Sequence, residues 1–245
     1  MRTLLAACLF VACVPPPDDA ATAIDPSSLV LPSSTTALPA DADLPTVILT
    51  KSKLLVVGVP RATMNVPIGI EDLNGPLIVP LRKWLSDPSV HGHDVAVAFD
   101  SDVKAEVAME VMATCLDAGM NVFHLAVTRE GETAQIPLAF GKPDPPDARP
   151  ITASVFGGGV VLKVREGTIA PGCQGLGSGV TVSRLDGLID RDELSRCIAQ
   201  VHAAHRTNTA SVLVTKDTEF HEIVTVLDAL RKDASTDAIS LGITE

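Results

Sequence analysis

Tyrosine is absent from this 245-residue chain, and tryptophan occurs once, at Trp84. That argues against an aromatic platform for stacking bases or sugar rings. Positive charge is also scarce: 19 lysines and arginines stand against 30 aspartates and glutamates, a net charge of −11. Such a surface repels phosphate backbones and anionic headgroups, so nucleic acid is not expected as a partner. No two cysteines are spaced C-x-x-C, which argues against a structural zinc site. No G-x-S-x-G stretch marks a hydrolase nucleophile. The glycine-rich runs at 156–161 and 172–180 match neither a P-loop nor a dinucleotide fingerprint, and they read as a hairpin turn and a loop. Past the first residues, no apolar run approaches the roughly 20 residues that cross a bilayer.

The first thirteen residues, MRTLLAACLFVAC, carry Arg2, an apolar stretch from Leu4 to Ala12, and Cys13. This pattern is that of a secretory signal, too short for a mature membrane span. FVAC resembles a bacterial lipobox, with Phe10 where the pattern prefers leucine, so Cys13 is the expected lipidation site. Acyl chains on that cysteine would hold the protein to a membrane surface. Val14 rather than aspartate follows it, which by resemblance favours the outer membrane over the inner. The alternative is cleavage after the small residues 21–23, giving a secreted protein. Residues 14–45 are rich in Pro, Ser, Thr, Ala and Asp and read as a disordered tether.

Beyond residue 45 the pattern becomes that of a folded chain, and it is written twice. PTVILTKSKLLVVGVP reads as a β-hairpin. Leu77, Ile78, Leu81, Trp84 and Leu85 follow at helical spacing, shortened by Pro80. Val95–Phe99 reads as a strand. Val103, Val107, Ala108, Val111, Met112, Cys115 and Leu116 form one helix face ended by Gly119, with Asp102 as the expected cap. Residues 122–128 close the unit. GKPDPPDARP, residues 141–150, holds four prolines and reads as a linker. Then SVFGGGVVLKVREGTIA repeats the hairpin. DRDELSRCIAQVHAAH gives a helix capped by Asp190, with Glu193 in capping-box position. SVLVT gives a strand. A helix carrying Phe220, Ile223, Val224, Leu227 and Leu230, with Asp217 as its expected cap, precedes a last strand. Asp217 stands 115 residues after Asp102, and Leu241 stands 116 after Leu125. The expected fold class is therefore α+β: two tandem small two-layer α/β sandwich domains at 46–140 and 151–245.

Five cysteines are present. Cys115 falls on the apolar helix face. Cys173 and Cys197 can form a disulfide in an oxidising compartment. His202 and His205 lie one helical turn apart, His91 and His93 precede a strand, and His124 and His221 stand alone. No third ligand accompanies any of these by spacing, so neither metal nor cofactor is expected.

The repeated unit resembles the periplasmic domain of the ExbD/TolR biopolymer transport family. The resemblance is carried by PTVILTKSKLLVVGVP, by VAVAFDSDVKAEVAMEVMATCLDAGMNVFHLAVT, and more faintly by ASVLVTKDTEFHEIVTVLDALRKDASTDAISLGIT. It implies work beside ExbB/TolQ-like proton channels and TonB/TolA-like partners, a tendency to dimerise, and in one branch contact with peptidoglycan. The family's proton-carrying aspartate lies in a transmembrane helix. Asp18, Asp19 and Asp25 lie in polar sequence and cannot inherit that role. The sequence reading is thus a non-enzymatic, lipid-anchored periplasmic binding or scaffolding protein whose two domains could pair as a pseudo-dimer, with the membrane reached only through the N-terminal lipid. Its alternatives are a peptidoglycan-binding lipoprotein and a periplasmic metal-dependent hydrolase using the histidines.

Overall fold

The computed structural model describes residues 29–41, 44–51, 54–57, 64–66, 77–88, 90, 92–139, 147–234 and 239–244. Cys13, residues 21–23, His91 and residues 141–146 of the proline-rich linker lie outside them. Among the described residues no helix is long and apolar enough to cross a membrane.

The chain is mixed α+β, and its described residues form two sheets and four α-helices. The first part contains β1 (Leu38–Pro39), β2 (Thr46–Leu49), β3 (Leu54–Val57), β4 (Met64–Val66), α1 (Val79–Leu85), β5 (Asp94–Phe99), α2 (Ala105–Asp117), β6 (Val122–Arg129) and β7 (Glu132–Ala139). Its strands lie in the order β1-β7-β6-β5-β2-β3-β4. The second part contains β8 (Pro150–Phe156), β9 (Gly159–Val164), β10 (Gly167–Thr168), β11 (Val182–Leu185), β12 (Leu188–Ile189), α3 (Arg191–His205), β13 (Thr209–Val214), α4 (Phe220–Asp233) and β14 (Ile239–Ile243). Its order is β12-β11-β9-β8-β13-β14, with β10 also on β9.

The two sheets agree in register as well as in connectivity. In the first, β3 and β2 form an antiparallel hairpin, and β5 and β6 add in parallel, so that Val56, Val47, Val97 and Leu125 face one another in a row. In the second, β9, β8, β13 and β14 repeat the arrangement with Leu162, Ala153, Val212 and Leu241. All eight side chains are buried. Parallel neighbours need a crossover, and α2 and α4 supply it, each burying an apolar face. The spacing of 116 between Leu125 and Leu241 is therefore a property of paired strands.

The two parts are not separate bodies. Phe99 and Phe220 meet edge to face with ring centroids 4.8 Å apart. Buried apolar residues of both sheets form one connected core. Between the parts, residues 101–106 and 216–221 run antiparallel, with a bridge at Lys104 and Glu219.

Residues 29–39 overturn the tether reading from that point on. The Val30 carbonyl accepts from Ser101 N–H, and Thr128 exchanges backbone bonds with Pro32 and Ser34. β1 then pairs with β7. Proline and serine content suggested disorder, but the segment finds backbone partners just past the end of β5 and along the last residues of β6. The sequence reading also stopped at residue 128 and missed β7. Its signal was present: Ala134, Ile136 and Leu138 alternate inward, and Glu130 and Gly131 both take left-handed φ, 54° and 84°. A two-residue turn of that kind is what a tight hairpin requires.

Candidate functional site

The junction of the two parts is built from the loops that precede α2 and α4. Sequence reasoning assigned Asp102 and Asp217 as caps there, and the structure corrects both. The helices begin three residues later, after Lys104 and Glu219, and neither has a side-chain cap. Lys104 and Glu219 share one extended conformation, φ −77° and ψ 146°. The first amides of each helix are met instead by carbonyls of the other loop. Ala105 N–H donates to Thr218 O and Phe220 N–H to Val103 O, both at 2.8 Å; Glu106 N–H donates to Lys216 O at 3.1 Å and His221 N–H to Ser101 O at 3.0 Å. Every donor and acceptor here has its counterpart 115 residues away. A helix start needs partners for its free N–H groups, and here two starts satisfy each other about a local two-fold axis. Asp190 does cap α3, accepting from Glu193 N–H at 3.0 Å. The Glu193 carboxylate turns to Arg196, so the capping box is half made.

Freed from capping, Asp102 pairs with Lys51 at 2.5 Å, which holds the carboxyl below and the ammonium above their ordinary ranges. Lys104 pairs with Glu219 at 2.7 Å. Asp102, Glu219 and His221 bring one ligand atom each within 4.8 Å of one another. Both carboxylates are already neutralised by lysines, and His221 Nδ1 lies 3.1 Å from the Ser101 carbonyl. A cation would have to displace these partners. The other described histidines are dispersed: His93 Nδ1 is 2.9 Å from Gly119 O, His202 Nδ1 is 3.1 Å from Thr207 Oγ1, His205 faces Glu166 and His124 faces Asp94. Each sits with its own local neighbour, and no three share a site among the described residues.

Asp228 of α4 is a second feature that the sequence hid. Its carboxylate accepts from the Thr35 and Thr36 amides and from the hydroxyls of Ser34, Thr35 and Thr36. Desolvation pushes this carboxyl up. The hydrogen bonds from Ser34, Thr36 and Thr35 more than reverse that, and it lies below the ordinary carboxylate range. Residues 30–39 are otherwise held by the first part, through Asp100, Thr128, Arg129 and β7. Asp228 thus ties this strap to the second part.

The second part has fasteners of its own. A disulfide joins Cys173 and Cys197 with Cα atoms 5.2 Å apart. Arg184 forms an ion pair with Glu222 and donates to the carbonyls of Phe156, Gly157 and Gly187. The bond it donates to Glu222 holds the guanidinium above its ordinary range. Cys115 is buried as a free thiol, pushed up to about 12 by desolvation, which makes it inert packing.

β14 pairs only with β13, so no described strand bonds to its outer edge. A cleft of about 360 Å³ is lined by Arg149, Arg165, His205, Glu166 and Thr207 among others. Compared with known proteins, the chain matches no protein-family profile, and no curated protein matches it significantly.

Proposed function

We propose that the chain is a non-enzymatic binding or scaffolding component of a cell-envelope machine of the ExbD/TolR kind. In this reading residues 46–140 and 151–245 are two tandem periplasmic-type domains that pair within one chain. The observation that carries it is the shared strand register together with the reciprocal helix starts at Lys104 and Glu219. A contact in which equivalent residues face each other is the isologous contact of a symmetric dimer, here made between two copies of one fold. The resemblance supplies the rest: periplasmic location, a lipid on Cys13, and ExbB/TolQ-like or TonB/TolA-like partners. The outer edge of β14 offers unpaired backbone groups to an extended partner chain. Proton relay would belong to the partner, since the chain has no aspartate inside an apolar span.

A second reading, binding to peptidoglycan, is favoured by one observation. The cleft places the guanidinium groups of Arg149 and Arg165 beside one carboxylate, Glu166, on an otherwise acidic protein, and such a cleft suits the carboxylates of a stem peptide.

The test is co-purification. A tagged chain solubilised from its host's envelope is expected to bring down a channel subunit or a TonB/TolA-like protein. It is also expected to lose its membrane association when Cys13 becomes Ala. Recovery with isolated sacculi and no protein partner would replace the first reading with the second. Recovery with neither would end both.

A further inference from the structure

The central strands and crossover helices of the two parts correspond, yet among the described residues one side of their junction is filled and the other is open. On the filled side, residues 34–36 lie against α4 at Asp228 while Ser34 donates its amide to Thr128 O of β6 at 2.9 Å. Val224 and Leu227 of α4 and Leu125 of β6 are fully buried there. The equivalent residues on the other side are Met109 and Met112 of α2 and Leu241 of β14. Together with Ala113, Leu116 and Phe123 they line a cleft of about 220 Å³ between α2 and β14. Leu116 remains 45% exposed. Every lining side chain is apolar, and two are methionines, whose flexible thioethers adapt to varied partners.

The chemistry of the missing occupant follows from the differences. Asp228, which grips Ser34–Thr36 through amides and hydroxyls, is replaced at the equivalent position by Ala113. The open side therefore has nothing to hold serines and threonines, and selects an apolar side chain instead. Glu110 stands on α2 beside Met109, with Oε2 buried and unpartnered. Burial, and then the neighbouring Glu106, push this carboxyl up, and Lys216 only partly offsets them. A cation brought alongside would satisfy it. We infer that the α2–β14 cleft receives an extended segment of a partner protein. That segment is apolar where it enters the cleft and basic beside it, and it crosses α2 as the chain's own residues 34–36 meet α4.

This inference rests on the binding reading above and gives it a place and a partner chemistry. The test uses the whole mature chain and two short fluorescein-labelled peptides of equal charge, one alternating leucine with lysine, the other serine with lysine. The leucine peptide is expected to bind with a rise in anisotropy and the serine peptide not to. Leu116→Glu is expected to weaken binding by about tenfold or more, and its half-exposed position predicts an unchanged melting temperature. Ala113→Asp, which imports the carboxylate of the filled side, is expected to weaken the leucine peptide as well. Equal binding of both peptides, or binding untouched by Leu116→Glu, would mean attraction by charge alone and overturn the inference. So would failure of the leucine peptide to bind, or a dimer in light scattering that Leu116→Glu abolishes, since the face would then belong to a second copy. If Leu116→Glu still co-purifies its envelope partner fully, the cleft is not the docking site, while the binding reading stands.

Discussion

The first sheet and the second carry the same strands in the same register, but they are fastened differently. The first is closed by β7 and by the strap that precedes β2. The second ends at β14 and relies on the Cys173–Cys197 disulfide and on Arg184, whose guanidinium gathers two turns and the first turn of α4. Where Glu222 stands on α4, the equivalent residue of α2 is Val107. The central rows of β3-β2-β5-β6 and β9-β8-β13-β14 stay apolar on both sides, because every one of those side chains is buried in the common core. The edges and ends have diverged, because there a strap, a disulfide or an ion pair can each do the same work.

The strongest way to break the comparison is at the shared core. Phe220→Ala removes the ring that meets Phe99 and is expected to cost about 3–5 kcal/mol. Because the core is continuous, calorimetry should show one transition moving down as a unit; two resolved transitions would mean the halves fold independently. Next comes a fastener present in one half only. Arg184→Ala leaves Glu222 buried without its partner and is expected to cost about 3 kcal/mol in urea unfolding, the low end for breaking a buried pair. Val107→Ala at the matching place should cost less.

The strap gives the third contrast. Asp228→Ala leaves the amides and hydroxyls of residues 34–36 unsatisfied, an expected loss of about 2 kcal/mol. Hydrogen exchange should quicken at Thr35 and Thr36 while β13 keeps its protection. The pH dependence has a definite sign. A carboxyl held below its ordinary value contributes stability that is fully present above the unfolded-state pKa and is lost as pH falls through the lower folded value. Strap protection should therefore persist through neutral and mildly acidic pH and fade only below the ordinary carboxylate range, and the Asp228→Ala variant should show no such fade. The smallest effects separate true caps from assumed ones. Asp190→Ala should cost about 1 kcal/mol, whereas Asp217→Ala should leave the melting temperature unmoved. An equal loss from both would mean that α4 depends on Asp217 after all.

The sequence by itself determined the central strands and the helices and their order, and it revealed the duplication through the spacing of Asp102 to Asp217 and Leu125 to Leu241. Apolar periodicity is a local property, and a helix face or an alternating strand can be read from a dozen neighbouring residues. Asp190 was legible as a cap for the same reason, since its partner Glu193 is three positions on. Asp102 and Asp217 misled because the amides they would have served are taken by carbonyls more than a hundred residues distant, which no local pattern reports. Ser34–Thr36 looked like tether because their partner, Asp228, is 192 to 194 residues away. Arg184 meets Glu222, 38 residues on, only through the fold of the second part, and the cleft between α2 and β14 exists only once the halves have met. What remained for tertiary structure was therefore the junction, the strap and the open side. Each is made of hydrogen bonds and contacts whose two ends lie far apart in the chain and become neighbours only through the packing of one sheet against the other.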